Sequence, residues 1–421
     1  MRLRTLAVAG TAFVAVVMGG LYAWTSPGPI APAAGPPSPP SAAVLAAGAR
    51  VVALGDCMVC HTAPAGPAYA GGLGLKTPFG IIYSTNITPD PDTGIGRWTS
   101  AAFRRALREG VARDGHLLYP AFPYIHYTRM SDEDIELAYS YLMSRTPVRV
   151  EQPANDLVFP LTFRPLLAFW NALYLRPGDG AAPGAGQVER GRYLVDTLGH
   201  CASCHSGMNL MGGERSPAFQ GGTVDGWHAP ALTRLAQGGA PWTRAELADY
   251  LQGGLALAHG AAKGPMRPVT ERLAGVPRED VEAMAAYLMT IQQAAPAPAA
   301  TAAPVAAGTA TSGAALFTAA CAGCHTPAAP MMRLGGRPAL ARSGAVLGDD
   351  PSNFIQTVLH GIPWERTAPG GAAAAYMPPF ADVLSDAQVA ELATWVRTGA
   401  GRPAWPDMAA ASARLRKEMQ P

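Results

Sequence analysis

Apolar residues along most of the chain recur at spacings of three and four, the period of an amphipathic α-helix rather than the alternation of a strand. Three kinds of helical segment follow one another in the same order three times. The first kind carries a glycine and then apolar residues: Gly48 with Val51, Val52 and Leu54, Gly191 with Tyr193, Leu194 and Val195, and Gly313 with Leu316 and Phe317. The sequence therefore predicts an all-α chain with a threefold internal repeat.

The second helix of each copy closes at a glycine, and the third opens with acidic residues. The second helices are marked by these residues: Phe103, Leu107 and Gly110; Leu247, Leu251 and Gly253; Phe354, Val358, Leu359 and Gly361. Thr99 and Thr243, each after a tryptophan, are predicted N-caps. The third helices are predicted over 135–142, 281–288 and 389–396, where the preceding acidic residues suit the positive end of the helix dipole.

The amino terminus has the pattern of an export signal. Arg2 and Arg4 precede an uncharged stretch over 6–24, whose length lies between that of a cleaved signal peptide and that of a retained membrane anchor. Tyr22 and Trp24 suit the membrane interface and favour an anchor, whereas the small residues at 31–33 offer a cleavage site. Both alternatives place the rest of the chain on the periplasmic side of a bacterial inner membrane.

Between the repeats the composition changes. Residues 25–45 are rich in proline and predict an extended tether, and residues 294–310 predict an alanine- and proline-rich linker. The connector at 151–185 is apolar and aromatic, but prolines, an arginine and an asparagine interrupt it, which argues against a membrane span. We expect it either to pack over a domain core or to dock a partner. Residues 401–421 form a polar tail without an apolar run, so no anchor is expected there.

Charge excludes one class of function. The 421 residues include 32 lysines and arginines against 30 acidic residues, a net charge of +2, so no basic field points to nucleic acid.

All six cysteines lie in Cys-x-x-Cys-His runs. The runs are Cys57, Cys60 and His61; Cys201, Cys204 and His205; Cys321, Cys324 and His325. This spacing is the attachment signature of haem c, because two thiols a helical turn apart add to two vinyl groups of the porphyrin and the histidine coordinates the iron. Thioredoxin-like pairs, zinc ribbons and disulfides are alternatives, but none explains three copies that each end in histidine. The sequence predicts three covalent haem c groups with iron.

The ligand on the other side of each iron decides the function, because His/Met ligation suits electron transfer and an open iron suits catalysis. A methionine precedes the last helix of each copy, and we predict that Met130, Met266 and Met377 are these ligands. Met331 and Met332 follow the third motif too closely for this role. The competing histidines are His116 and His126 for the first iron, His228 and His259 for the second, and His360 for the third.

Residues 46–400 resemble the three-haem cytochrome c subunits of bacterial membrane-bound dehydrogenases. The stretches that carry the resemblance are GDCMVCH at 55–61, TPFG at 77–80, YSTNIT at 83–88, YPAFPY at 119–124, GWHAP at 226–230 and MPPFA at 377–381. The resemblance implies three tandem cytochrome c domains, at 46–150, 186–293 and 311–400, and agrees with the three methionine ligands. It also implies that Pro230 and Pro338 shape the loop whose carbonyl holds the proximal histidine. The first copy lacks that proline.

Members of this family serve catalytic subunits of three kinds: molybdenum/iron–sulfur hydroxylases, flavoproteins and quinoproteins. The stretches at 159–167, 358–362 and 403–407 most resemble the molybdenum-hydroxylase group. We therefore expect a non-catalytic electron-transfer subunit that passes electrons from such a partner to ubiquinone or a terminal oxidase. The alternatives are a stand-alone haem enzyme such as a peroxidase, and a free electron shuttle.

Overall fold

The computed structural model describes residues 13, 16–17, 19–20, 27–237, 240–294, 311–329, 339–362 and 376–418. These residues form two compact units. The first comprises 27–184 with 193–200, and the second comprises 185–192 with 201–418. The export segment at 1–24 lies almost wholly outside the described residues, as does the linker at 294–310.

The first unit is helix-rich with one small sheet. Its described helices are Ala42–Leu54 (α1), Cys57–Cys60 (α2), Ser100–Glu109 (α3), Tyr124–Tyr127 (α4), Asp132–Met143 (α5) and Leu166–Tyr174 (α6), with a π-helical turn at Leu194–Leu198. The strands Gly74–Thr77 (β1), Gly80–Tyr83 (β2) and Asp156–Leu157 (β3) form an antiparallel sheet in the order β1-β2-β3.

The second unit is also helix-rich. Its described helices are Gln187–Tyr193 (α7, which reaches the unit boundary), Ala202–His205 (α8), Arg244–Gly253 (α9), Met266–Leu273 (α10), Arg278–Thr290 (α11), Thr311–Ala320 (α12), Ala322–His325 (α13), Gly344–Leu347 (α14), Ser352–His360 (α15), Asp386–Gly399 (α16) and Met408–Glu418 (α17). Its short strands pair as two antiparallel ribbons: Gly222–Val224 (β4) with Trp227–Ala229 (β5), and Leu255–Ala256 (β6) with Gly260–Ala261 (β7).

The two predicted threonine N-caps are confirmed, whereas the third helix of each copy begins three residues earlier than predicted, at Asp132, Arg278 and Asp386. The hydroxyl of Thr99 accepts a hydrogen bond from the Ala102 amide at 3.2 Å, and Thr243 forms a capping box with Glu246. Ser131 and Ser385 cap α5 and α16 in the same manner. One predicted end is wrong by a residue: Gly253 is the last residue of α9, and Gly254 is the cap because its φ of +68° needs a residue without a Cβ.

The glycine ahead of each Cys-x-x-Cys-His run lies against the last helix of its copy. A Cβ placed at Gly48, Gly191 or Gly313 would overlap the backbone carbonyl of Leu137, Ala283 or Glu391 respectively. It would also lie 2.7, 2.9 and 2.9 Å from the Cβ atoms of Tyr141, Tyr287 and Trp395, each four residues further along those helices. Glycine is therefore required at these positions so that the two helices can approach closely.

The predicted all-α class is correct for the dominant elements, but the short strands were not predicted. The strands are two to four residues long, too short for an alternating pattern to emerge. The turn between β1 and β2 is made by local contacts: Thr77 donates its hydroxyl to the Gly80 carbonyl at 2.7 Å and accepts from the Phe79 amide at 3.1 Å.

The connector packs on one side only. Trp170 of α6 is buried and stacks edge-on against Tyr124, with ring centroids 6.1 Å apart, and Asn171 accepts a hydrogen bond from the Tyr124 hydroxyl at 2.6 Å. Phe159 and Phe169 are 87% and 56% exposed. The connector thus packs over the core of the first unit, which was one of its two predicted roles. It also presents an exposed apolar face.

Both segments predicted as tether and tail make ordered contacts. The backbone amides of Ile30 and Ala33 donate to the carbonyls of Arg113 and Arg97, and α1 begins at Ala42 within the predicted tether. In the tail, α17 buries Leu415. Within the described residues, no helix is long and apolar enough to cross a membrane.

Candidate haem-binding sites

The three cysteine pairs lie on short helices that follow the glycine-bearing helices. Cys57 and Cys60 are the ends of α2, whereas α8 and α13 carry the second and third motifs up to His205 and His325. One helical turn separates the two sulfurs of each pair, and all six cysteines are half-buried. Burial, together with the nearby Asp56 carboxylate, raises the pKa of the Cys57 thiol to about 12.

The first two proximal histidines are held by backbone carbonyls. His61 Nδ1 lies 2.6 Å from the Thr85 carbonyl oxygen, and His205 Nδ1 lies 2.7 Å from that of Pro230. A carbonyl only accepts, so Nδ1 must donate its proton in both cases, which leaves Nε2 as a lone-pair donor. Burial lowers the pKa of both imidazoles and keeps them neutral, the form that binds a metal.

The resemblance implied that the loop shaped by Pro230 holds the second histidine, and the carbonyl that does so is that of Pro230 itself. In the first site, which lacks the proline, Thr85 takes its place at nearly the same separation: 24 residues from His61, against 25 from His205 to Pro230. Superposing the copies by this separation would have identified Thr85 from the sequence. Pro338, implied for the third site, lies outside the described residues.

The three predicted methionine ligands have different surroundings. Met130 is 3% exposed and precedes Ser131, the N-cap of α5, and its carbonyl accepts from Arg108 at 2.8 Å. Met266 is half-buried at the first position of α10. Met377 is half-buried, and its amide and carbonyl pair with Ile362 at 2.9 and 2.8 Å. Their bonding to iron stays a prediction.

Most competing histidines make other contacts. His126 Nδ1 lies 2.9 Å from the Asp196 carbonyl, and His116 Nδ1 lies 2.6 Å from the Asp114 carboxylate. His259 stacks on Trp242 with centroids 3.6 Å apart, and His228 Nδ1 lies 4.0 Å from Asp350. His360 is the last residue of α15, where burial lowers its pKa. An Nδ1 contact leaves Nε2 available, as at His61 and His205, so these contacts do not distinguish histidine from methionine as the sixth ligand.

The sequence analysis did not identify two kinds of polar side chain: the one that holds the first cysteine motif, and those that hold the strands leading to the carbonyls of Thr85 and Pro230. Tyr127 is buried, and its hydroxyl donates to the Gly55 carbonyl, two residues before Cys57, at 2.7 Å. Asn155 and Asn353 bind the strands ahead of Thr85 and Pro230. Asn353 is 125 residues from its partner, and no local pattern marks such a contact.

The donor set fits haem c. A thiol pair one turn apart can form two thioethers, and an adjacent neutral imidazole with its Nδ1 proton already donated can coordinate iron through Nε2. Both requirements are met at the first and second motifs by the contacts above, and the third motif repeats the helix and the sequence.

Two family models match the chain. The model described as "Cytochrome c" matches residues 188–292, and the model described as "Cytochrome C oxidase, cbb3-type, subunit III" matches residues 308–396. Together they cover the second and third motifs.

Similar proteins extend the match to most of the chain. A subunit of the nicotinate dehydrogenase of Pseudomonas putida is 49% identical over 89% of this chain, but the chain spans only 32% of that relative's length. The cytochrome c subunit of the quinone-dependent alcohol dehydrogenase of Gluconacetobacter polyoxogenes is 34% identical over 86% of this chain and 81% of its own length. The gluconate 2-dehydrogenase cytochrome c subunit of Pantoea cypripedii is 33% identical over 89% and 90% respectively.

These matches agree with the chemistry of the motifs and of the carbonyl-bound histidines. The chain belongs to the family of dehydrogenase cytochrome c subunits, whose cytochrome c domains bind haem c covalently.

Proposed function

We propose that the chain is the electron-transfer subunit of a membrane-associated dehydrogenase and carries three haem c groups on three tandem cytochrome c domains. The observation that carries this proposal is that His61 and His205, each directly after a cysteine pair, donate Nδ1 to a backbone carbonyl. That arrangement is the outer-shell hydrogen bond of a metal-binding imidazole. His325 completes the third motif.

Each side chain has a distinct task in this proposal. The cysteine pairs anchor the porphyrin edge, and the Nδ1 hydrogen bonds orient the imidazoles and increase their basicity toward iron. Met130, Met266 and Met377 would each hold the iron through a thioether sulfur, which would raise its reduction potential. When bound, haem c supplies an iron that accepts and returns one electron at a time.

The chain itself performs no substrate chemistry in this proposal. A methionine on each iron leaves no coordination position for a substrate, in contrast to peroxidases, whose iron is held by histidine alone. Met130, Met266 and Met377 each lie shortly before the last helix of their copy, and this shared position in the repeat supports methionine as the sixth ligand.

We further propose that the catalytic partner is a molybdenum hydroxylase acting on an N-heterocyclic substrate. The support is the identity of 49% with a nicotinate dehydrogenase subunit, against 33–34% for the alcohol and gluconate dehydrogenase cytochromes. Flavoprotein and quinoprotein partners are the competing outcomes. A quinone or a terminal oxidase is the proposed acceptor.

The proposed location is the periplasmic side of a bacterial inner membrane, with the segment at 6–24 as signal or anchor. The apolar stretch after Arg2 and Arg4 supports export, and haem c attachment in an exported chain agrees with it.

The first test is a haem count and a redox titration of the purified chain, with and without carbon monoxide. We expect three haems per chain, and no rapid carbon monoxide binding in the reduced state. One haem that binds carbon monoxide rapidly would overturn the non-catalytic assignment and support a peroxidase-like iron.

The second test is gentle affinity purification from detergent-solubilised membranes, followed by metal and cofactor analysis. Molybdenum with iron–sulfur, and haem reduction by nicotinate but not by ethanol or gluconate, would support the hydroxylase partner. Flavin or a quinone cofactor in the complex would reassign the partner. Recovery of the cytochrome alone in this purification would favour the free electron shuttle.

A further inference from the structure

One short strand, β5 with the following Pro230, contacts the loops of both predicted axial ligands of the second haem. The Pro230 carbonyl accepts from His205 Nδ1 at 2.7 Å. At the other end of the strand, Trp227 lies against Gly264, where an added Cβ would overlap the indole ring. Gly264 is two residues before Met266. The position of β5 therefore affects the proximal and the distal loop together.

A side chain from the third-haem region holds this strand. On α15, Asn353 Oδ1 accepts from the His228 amide at 2.9 Å, and its Nδ2 donates to the His228 carbonyl at 2.8 Å. One side-chain amide thus satisfies both backbone groups of the central residue of β5, as a neighbouring strand would. His228 lies in the part of the chain matched by the cytochrome c model, and Asn353 lies in the part matched by the other model.

The rest of α15 follows the same surface. A Cβ at Gly226, directly before β5, would lie 2.8 Å from Gln356 Nε2, and Gln356 is 2% exposed. One turn beyond Asn353, Thr357 accepts a hydrogen bond from Lys263 Nζ at 3.2 Å. The contact therefore extends along α15 and is partly buried, rather than being a single surface hydrogen bond.

The first site has the first of these two hydrogen bonds, made by an asparagine from a different part of the chain. Asn155 Oδ1 accepts from the Tyr83 amide at 2.9 Å, and Tyr83 is two residues before Thr85, just as His228 is two residues before Pro230. Asn155 lies in the connector of the first unit. The recurrence at the same position relative to the carbonyl indicates that the asparagine serves the histidine rather than the strand alone.

We propose that Asn353 is a positioning residue for the second haem. By holding β5 it fixes the Pro230 carbonyl against His205, and through Trp227 it fixes the loop that carries Met266. This rests on the proposed His/Met ligation. The coordination of the second haem then depends on the folded helix α15 of the third-haem region, so the two haem sites of the second unit are coupled through protein structure.

The chemistry of asparagine explains why this residue type is needed. Its amide offers one acceptor and one donor, which match the amide and the carbonyl of His228. Aspartate keeps the acceptor for the amide but places a negative oxygen against the carbonyl. Leucine has a similar volume and removes both bonds, leaving the partly buried amide and carbonyl of His228 without these partners.

The test compares Asn353→Leu, Asn353→Asp and Asn353→Ser in the full haem-loaded chain by spectroelectrochemical titration. The redox transition that shifts in Met266→Ala is assigned to the second haem. Asn155→Leu is the matched variant of the first site. We expect Asn353→Leu to lower the second-haem potential and weaken the sulfur-to-iron charge-transfer band, with the first haem unchanged. Asn155→Leu should shift the first haem instead, and Asn353→Asp should give a smaller shift than leucine.

An unchanged second-haem potential in Asn353→Leu, or a shift confined to the third haem, would overturn the proposal. If the leucine variant does not fold, Asn353→Ser decides by the same readouts, because serine is small and polar. Failure of the proposed His/Met ligation would give a result that differs from failure of the Asn353 proposal. In that case the unmodified chain itself shows no sulfur-to-iron band and no second wave that responds to Met266→Ala.

Discussion

Gly191 lies so close to Ala283 that a Cβ on the glycine would overlap the alanine's carbonyl oxygen. The helix that leads into the second cysteine pair thus crosses the last helix of the same copy at backbone contact. Tyr287, one turn further along, would lie 2.9 Å from the added Cβ atom and closes the space on the other side. The crossing positions the cysteine pair on the body of the domain.

Gly191→Ala should therefore destabilise the second unit. Forcing a methyl group into this contact separates the helices, at a cost of about 1–3 kcal/mol in the free energy of unfolding. Thermal unfolding followed by circular dichroism and by haem absorbance measures the effect. The matched control is Gly253→Ala, at a helical position with nothing within 4 Å of an added Cβ, which should be neutral or stabilising by about 0.5–1 kcal/mol. Equal melting temperatures for the two variants would contradict the helix-crossing argument.

Replacing Met130, Met266 or Met377 by alanine should lower the potential of one haem at a time. Loss of the thioether removes the ligand that favours the reduced iron, and it opens that iron to carbon monoxide. Covalent attachment should persist, because the cysteines are unchanged. Redox titration and carbon monoxide difference spectra measure these effects.

Met208→Ala is the control for these variants, since Met208 is 49% exposed and follows the second motif closely without being a predicted ligand. It should leave all three potentials unchanged. A methionine variant whose titration superposes on that of Met208→Ala would disprove the corresponding ligand assignment.

The double replacement of Cys201 and Cys204 by alanine should remove one covalent haem of the proposed three. Both thioether bonds of the second site are lost, whereas the other two pairs lie on separate helices. Mass spectrometry of the denatured chain together with haem absorbance counts the attached groups. Three haems in the double variant would exclude these cysteines from attachment.

Lys263 should make the stability of the second unit depend on pH. Desolvation lowers the pKa of its ammonium group to about 8 from an ordinary value of 10.5. Between these values the unfolded chain binds more protons than the folded chain, so stability rises with pH across this window and the penalty is complete below pH 8. Lys263→Met should therefore stabilise the protein at pH 7 by about 1–2 kcal/mol, with a smaller gain at higher pH.

Melting temperatures at pH 7 and pH 10 test this dependence, with Lys76→Met as the control because Lys76 is exposed on β1. The control should change stability equally at both pH values. A gain from Lys263→Met that is as large at pH 10 as at pH 7 would show that the ammonium of Lys263 is not desolvated.

Helix type and helix starts could be predicted well from the sequence because their signals are local. Thr99, Ser131, Thr243 and Ser385 each cap the helix that directly follows. The two- to four-residue strands could not be predicted, since a ribbon such as β4–β5 is held by pairing and carries no period of its own. The helix at Met408–Glu418 was not predicted because it has few apolar residues, and these become buried only by packing against the rest of the unit.

The covalent chemistry of this protein was determined by the sequence alone. Two cysteines and a histidine within five residues are brought together by a single helical turn, whatever the rest of the chain does. The glycine ahead of each motif and the last helix of each copy were also predicted, but the contact between them was not. The hydrogen-bond partners around the histidines were decided by the tertiary structure: Thr85 and Pro230 bind the His61 and His205 side chains across 24 and 25 residues, and Asn353 binds the His228 backbone across 125 residues. Such contacts depend on where loops and strands meet after folding, and the spacing within a single copy does not encode that meeting.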